Sequence, residues 1–215
     1  MNKIKSIKYS VGLFSFLLVA WGFYRFLFQL PEEIEELIVK PVIWLVPTLF
    51  IVFIREKSNL ASLGVTVKNI FPALYFALAL GVVFAIEGIV LNFVKYGGFN
   101  FAANIGDKAI FASLGISFVT GISEELAFRG YIFNRIWQAT GREWTSNLVT
   151  SFGWAAIHLP VNIFVLGISV EAIVLNLFLT FIFGVGSALV FARTKNVFSS
   201  VFLHVLWEWP IILFR

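Results

Sequence analysis

The sequence predicts an all-α fold: a polytopic membrane bundle of about seven transmembrane helices, with six to eight compatible with the segment lengths. Three observations predict it. Of 215 residues, 60% are hydrophobic, 18% aromatic and only 13% charged, whereas a soluble domain is about half apolar and about a quarter charged. The apolar residues fall in runs near the roughly 20 residues that cross a hydrocarbon core. The lysines and arginines gather beside alternate ends of those runs, as orientation in a membrane requires.

The runs cover about 10–30, 40–54, 71–94, 109–133, 144–160, 170–192 and 198–214. The first follows the basic stretch MNKIKSIKYS; it exceeds a signal-peptide core and lacks a small-x-small cleavage site, so it reads as a retained helix. The second and fifth are short and call for tilt, extension or partial burial in protein. The stretch 161–169, VNIFVLGIS, reads either as a re-entrant piece or as a broken eighth helix. Pro31, Pro41, Pro72 and Pro160 fall near proposed boundaries, where a missing N–H costs least. Lys95-Tyr96-Gly97-Gly98 marks another break. The whole of 1–215 forms one integral membrane domain, with 1–108 supplying N-terminal transmembrane helices.

If seven helices alternate, one side carries Lys3, Lys5, Lys8, then Arg55, Lys57, Lys68, then Arg135, Arg142, then Arg193, Lys195. The other carries the acidic PEEIEE of 31–36 and scattered Lys40, Lys95 and Lys108. The positive-inside rule then puts the N-terminus in the cytoplasm. The chain is compact and shows no organelle signal, which suits a prokaryotic plasma membrane. With a net charge of only +4, the basic residues set orientation rather than bind nucleic acid, and the expected partner at this point is membrane lipid. The absence of cysteine excludes a disulfide framework and a thiol nucleophile.

Charges inside hydrocarbon persist where they face protein or a wet cavity. Those within or beside the runs are Glu87, Glu124, Glu125, Arg129, His158, Glu171, His204 and Glu208, and His158 and His204 are the only histidines. In GISEELAFRG, Glu124 and Glu125 project about 100° apart on a helix. Glu125 and Arg129, four apart, form a supporting ion pair, which leaves Glu124 to face a neighbouring helix. The alternative is a helix end where all three charges meet water. His158, in SFGWAAIHLP, and the pair His204/Glu208, in VFLHVLWEWP, read individually as interhelical hydrogen-bonding groups; in combination, three helices can converge them on one cavity. Glu87 has no assigned role. Glu171 begins a helix with Ser169 as a cap. Asn92, Asn147 and Asn176 read as interhelical hydrogen-bonding groups, Gly184 and Gly186 as sites of close packing, and Trp207 and Trp209 as interface anchors.

The segment Glu124-Glu125-Leu126-Ala127-Phe128-Arg129 resembles the E-E-x-x-x-R motif of the CAAX-protease and bacteriocin-processing (CPBP, or Abi) intramembrane endopeptidases. Trp154-Ala155-Ala156-Ile157-His158 is similar to that family's F-x-x-x-H, with Trp for Phe. His204-Val205-Leu206-Trp207-Glu208 is similar to H-x-x-x-N, with Glu for Asn. The resemblance covers 109–214, the expected catalytic core. It implies that Glu124 and His158 hold and activate a water, and that His204 donates toward an oxyanion. At the Asn position, Glu208 would repel that charge if ionised, donate if protonated, or orient His204. No cofactor is expected; the alternative is zinc held by Glu124, His158, His204 and Glu208. The expected function is hydrolysis of a peptide bond in a lipidated or hydrophobic membrane peptide. The alternatives are a non-catalytic binding or bacteriocin-immunity-type membrane protein, and a proton-relaying transporter.

Overall fold

The computed structural model describes residues 2–98 and 110–213. Seven helices follow in order: α1 Lys3–Leu27, α2 Glu32–Arg55, α3 Ile70–Tyr96, α4 Phe111–Thr140, α5 Glu143–Val165, α6 Val170–Thr194 and α7 Val197–Leu213. The described residues contain no strand. Helices α1 to α6 contain segments long and apolar enough to cross a membrane; α7 carries a shorter apolar stretch, Val197–Trp209. This is an all-α polytopic membrane bundle.

The helix ends depart from the apolar runs in an informative way. Helix α1 begins at Lys3 because Asn2 Oδ1 accepts from the Ile4 N–H at 3.1 Å, satisfying one of the free donors of the first turn. Its lysines project outward from helical positions. Helix α2 starts at Glu32, well before the run at 40, and passes through Pro41 and Pro47. A π-helical turn, Glu35–Val39, precedes Pro41, where the missing N–H interrupts the regular ladder. Helix α5 likewise continues past Pro160 as the π-helical Val161–Val165. The stretch 161–169 is therefore the end of the fifth helix and its turn, not an eighth span. Arg135, expected in a connection, lies inside α4 and is buried, with its Nη2 2.7 Å from Glu56 Oε2 and its Nη1 donating to the Ser62 carbonyl at 3.0 Å. Lys108 lies outside the described residues, as do the side chains of Lys95 and Asn92.

Helix α7 packs against both α3 and α4, α5 packs against α6, and α2 lies along α4. The centre holds Trp44, Phe128, Trp154, Phe183 and Leu203. Small hydroxyl residues, among them Ser117, Thr120, Ser123, Ser187 and Ser200, are buried between the helices. Such residues let backbones approach closely, and the hydroxyls of Thr120, Ser123, Ser187 and Ser200 each find an acceptor. The large apolar side chains of Phe71, Phe111, Phe152 and Val170 point outward, where lipid is their natural solvent.

Glycine sets the closest crossings. A Cβ on Gly184 would come within 3.0 Å of Ser151 Cβ, and one on Gly130 within 2.9 Å of the Leu63 carbonyl oxygen. Asn147 reaches from α5 to the Val185 carbonyl on α6 at 3.1 Å, and Asn162 donates to Asn176 at 3.1 Å. Ser169 accepts from the Ala172 N–H at 3.3 Å and caps α6, beside an exposed Glu171. The two tryptophans of α7 both make packing contacts and both stay partly exposed. Trp207 stacks on Phe183 with ring centres 4.3 Å apart, and Trp209 Nε1 donates to Ser113 Oγ at 3.1 Å.

Candidate active site

Helix α4 delivers two adjacent carboxylates that diverge, as their helical spacing dictates. Glu125 is fully buried and faces α6 and α7. Its Oε1 lies 3.1 Å from Arg129 Nη1 and 2.8 Å from His204 Nδ1, and its Oε2 accepts from Ser187 Oγ at 2.7 Å. Arg129 also donates to the Gly184 carbonyl at 3.2 Å. Glu125 is thus more than a counter-charge for Arg129: it also grips the imidazole of α7.

Glu124, 3% exposed, faces α2 and α5. Its Oε1 lies 2.9 Å from Lys40 Nζ, and its Oε2 accepts from the Trp154 indole N–H at 2.9 Å. Each carboxylate oxygen retains a further lone pair. Lys40 was expected among scattered charges on the acidic face of the membrane; it is instead only 6% exposed and inside the bundle. Glu36 joins it there: Lys40 Nζ lies 2.5 Å from Glu36 Oε2, which also accepts from Thr120 Oγ1 at 2.7 Å. Arg25 pairs with both Glu35 and Glu36. Two of the four glutamates of PEEIEE, Glu35 and Glu36, are therefore interior wiring rather than surface charges.

Trp154 ties the cluster together. Its ring centre lies 4.7 Å from that of His158 and 5.9 Å from that of His204, and the Arg129 guanidinium sits 4.5 Å over it. A Phe at this position would supply the ring contacts but no donor for Glu124. His158 Nδ1 lies 2.7 Å from the Trp154 carbonyl oxygen. A carbonyl can only accept, so Nδ1 carries the proton and Nε2 of the neutral ring is an acceptor. The same logic applies to His204 against the Glu125 carboxylate.

Glu208 stands further off. Its Oε2 is 3.9 Å from His204 Nε2, beyond hydrogen-bond reach, and is buried without a hydrogen-bond partner among the described residues. Glu125, not Glu208, fixes the His204 ring. Glu87 is partly exposed on α3. Glu124, His158, His204 and Glu208 are not gathered as a metal-ligand set: among the described residues no group of three or more His, Asp or Glu side chains could hold a metal ion. The donors around Glu124 are an ammonium and an indole, and Nδ1 of each histidine is already engaged.

The sequence alone missed Lys40, Glu36 and the donor role of Trp154. A signal for Lys40 was present: it lies four residues from Glu36, the spacing of a helical ion pair, if the helix is allowed to begin in the acidic stretch.

Glu124, His158 and His204 are thus arranged around one indole, from three helices, in the order of the three motifs. Residues 106–210 match the family model of Rce1-like type II CAAX prenyl endopeptidases. The match covers just under half of the chain and includes Glu124, Glu125, Arg129, Trp154, His158, His204 and Glu208. The Rce1-like segment leaves out α1 to α3, and with them Lys40 and Glu36. No curated protein and no solved structure matches the chain.

Proposed function

We propose that this integral membrane protein is an intramembrane endopeptidase that hydrolyses a peptide bond in a membrane-associated peptide. The observation that carries this reading is the convergence of Glu124, His158 and His204 on Trp154, within the segment similar to a family of endopeptidases. In the proposed reaction, one water binds between Glu124 and the acceptor Nε2 of His158 and attacks the scissile carbonyl. Its proton passes to these groups and then to the departing amine, so that water and peptide give a carboxylic acid and an amine. General-base assistance of this kind contributes about 10²–10⁴-fold. His204, held through Nδ1 by Glu125, donates from Nε2 in its cationic form to the developing oxyanion. Glu208 assists as a donor when it carries a proton. No metal enters these steps.

The substrate class follows from the resemblance to CAAX prenyl endopeptidases: a peptide carrying a lipidated cysteine near its C-terminus, with an unmodified hydrophobic peptide as the alternative. A lipid-facing groove of about 360 Å³ between α1, α4 and α5, lined by Phe14, Leu18, Phe128, Ile132 and Phe152, suits an alkyl chain. The proposed setting is a prokaryotic plasma membrane with the N-terminus in the cytoplasm, a reading supported by the lysines of the first turns.

The test is direct. Purified protein in lipid nanodiscs is incubated with two peptides, one bearing a farnesylated cysteine three residues from its C-terminus and one unmodified, in water enriched in ¹⁸O. Mass spectrometry is expected to show a single cut with one ¹⁸O in the new carboxyl group. Intact peptides in both arms would favour the second reading, a non-catalytic binding or immunity-type protein, to which the Glu at position 208 already lends some weight.

A further inference from the structure

The Lys40–Glu124 contact joins two parts of the chain that the family resemblance separates. Glu124 lies in the Rce1-like segment and Lys40 lies on α2, outside it. The ammonium is 2.9 Å from Glu124 Oε1, and it is not free to wander. Glu36 holds it at 2.5 Å, one turn earlier on the same helix, and Thr120, one turn before Glu124 on α4, donates to that same Glu36 at 2.7 Å. The indole of Trp21 lies 5.4 Å from Nζ, and Arg25 stands behind Glu36 at 3.5 Å. The groups facing Lys40 from α1, α2 and α4 thus form a closed frame of two carboxylates, a hydroxyl, a guanidinium and a ring. A flexible four-carbon ammonium is ordinarily a poor positioning device; this frame removes its freedom.

The two oxygens of Glu124 are held differently. Trp154 holds Oε2 from α5 with a neutral donor, and Lys40 holds Oε1 from α2 with a charged one. Two donors on separate helices fix the plane of the carboxylate as well as its position. A water activated by Glu124 needs a defined lone-pair direction, so the geometry of this frame bears on the reaction and not only on packing.

We propose that Lys40 is a positioning residue for Glu124: clamped by Glu36, its ammonium sets the orientation of the carboxylate, so the N-terminal helices complete a site whose other members lie in the Rce1-like segment. This inference rests on the endopeptidase reading. Lys40 does not touch the substrate; it acts through Glu124.

The experiment measures turnover, KM and thermal unfolding of the full chain in nanodiscs, with the farnesylated peptide as the probe, for wild type, Lys40→Met, Lys40→Arg and Glu36→Gln. Loss of carboxylate orientation is expected to lower kcat of Lys40→Met about 10²-fold with KM little changed. Lys40→Arg, which retains the charge, recovers much of that loss. Glu36→Gln, which frees the ammonium without removing it, is intermediate. Wild-type kcat in Lys40→Met, or a loss fully explained by a smaller folded fraction, would overturn the proposal. Should Lys40→Met fail to fold, Glu36→Gln decides: an unchanged kcat there overturns it. A wild-type protein that cleaves nothing would remove the endopeptidase reading itself, and the positioning role with it.

Discussion

Trp154 shows how one residue can unite a site. Its indole N–H serves Glu124, its carbonyl sets the tautomer of His158, and its ring lies against both imidazoles. Trp154→Phe removes only the first of these. A buried carboxylate oxygen then loses a donor, which costs about 1–3 kcal/mol. The expected outcome is a lower unfolding temperature and reduced cleavage, with the helical circular dichroism retained. An unchanged unfolding temperature and rate would show that Lys40 alone suffices to hold Glu124. The paired glutamates divide their work in the same spirit, with Glu125 gripping Arg129, Ser187 and His204. That arrangement was partly legible from spacing, because Glu125 and Arg129 lie four apart. The link to His204 was not, because nothing in a linear sequence ranks which buried carboxylate meets which histidine.

At the scale of the helices, legibility followed chemistry. Apolar runs located the seven segments, since hydrocarbon admits little else. The ends were misplaced wherever a helix begins or continues in charged residues or passes through proline, as at Lys3, Glu32, Pro41 and Pro160. Lys40 was lost for the same reason: a boundary drawn at the start of the apolar run put it at the helix end, whereas α2 begins two turns earlier and carries Glu36 and Lys40 into the bundle. The short connection Leu60–Leu63 packs against α4 at Gly130, where an added Cβ would lie 2.9 Å from a backbone oxygen. Gly130→Ala is therefore expected to destabilise by about 1–3 kcal/mol, seen as a fall in unfolding temperature; an unaltered value would mean that the connection moves freely aside. The clash is with backbone, which has less freedom to yield than a side-chain tip.

For the molecule as a whole, the charges divide into an interior set and a surface set. Arg25, Glu35, Glu36, Lys40, Glu124, Glu125 and Arg129 are buried and mutually paired, while Lys3, Lys5 and Lys8 face outward. Only the second kind informs orientation, so counting Lys40 or Arg135 as loop charges was misplaced, yet the N-terminal lysines still argue for a cytoplasmic N-terminus. The chain has no cysteine, so single replacements carry no background. With that orientation, Gln29→Cys in the α1–α2 turn reacts with a membrane-impermeant maleimide in intact cells. Asn59→Cys, between α2 and α3, reacts only after lysis. The reverse pattern would invert the topology. The central claim is that Glu124, framed by Lys40 and Trp154 beside His158, activates the water that cuts the peptide. It is tested most directly by the single-turnover cleavage rate of Glu124→Gln against wild type in the same nanodiscs. The account predicts a loss of at least about 10²-fold, the lower end of general-base assistance, in a protein that remains folded. Cleavage by Glu124→Gln at the wild-type rate would contradict it.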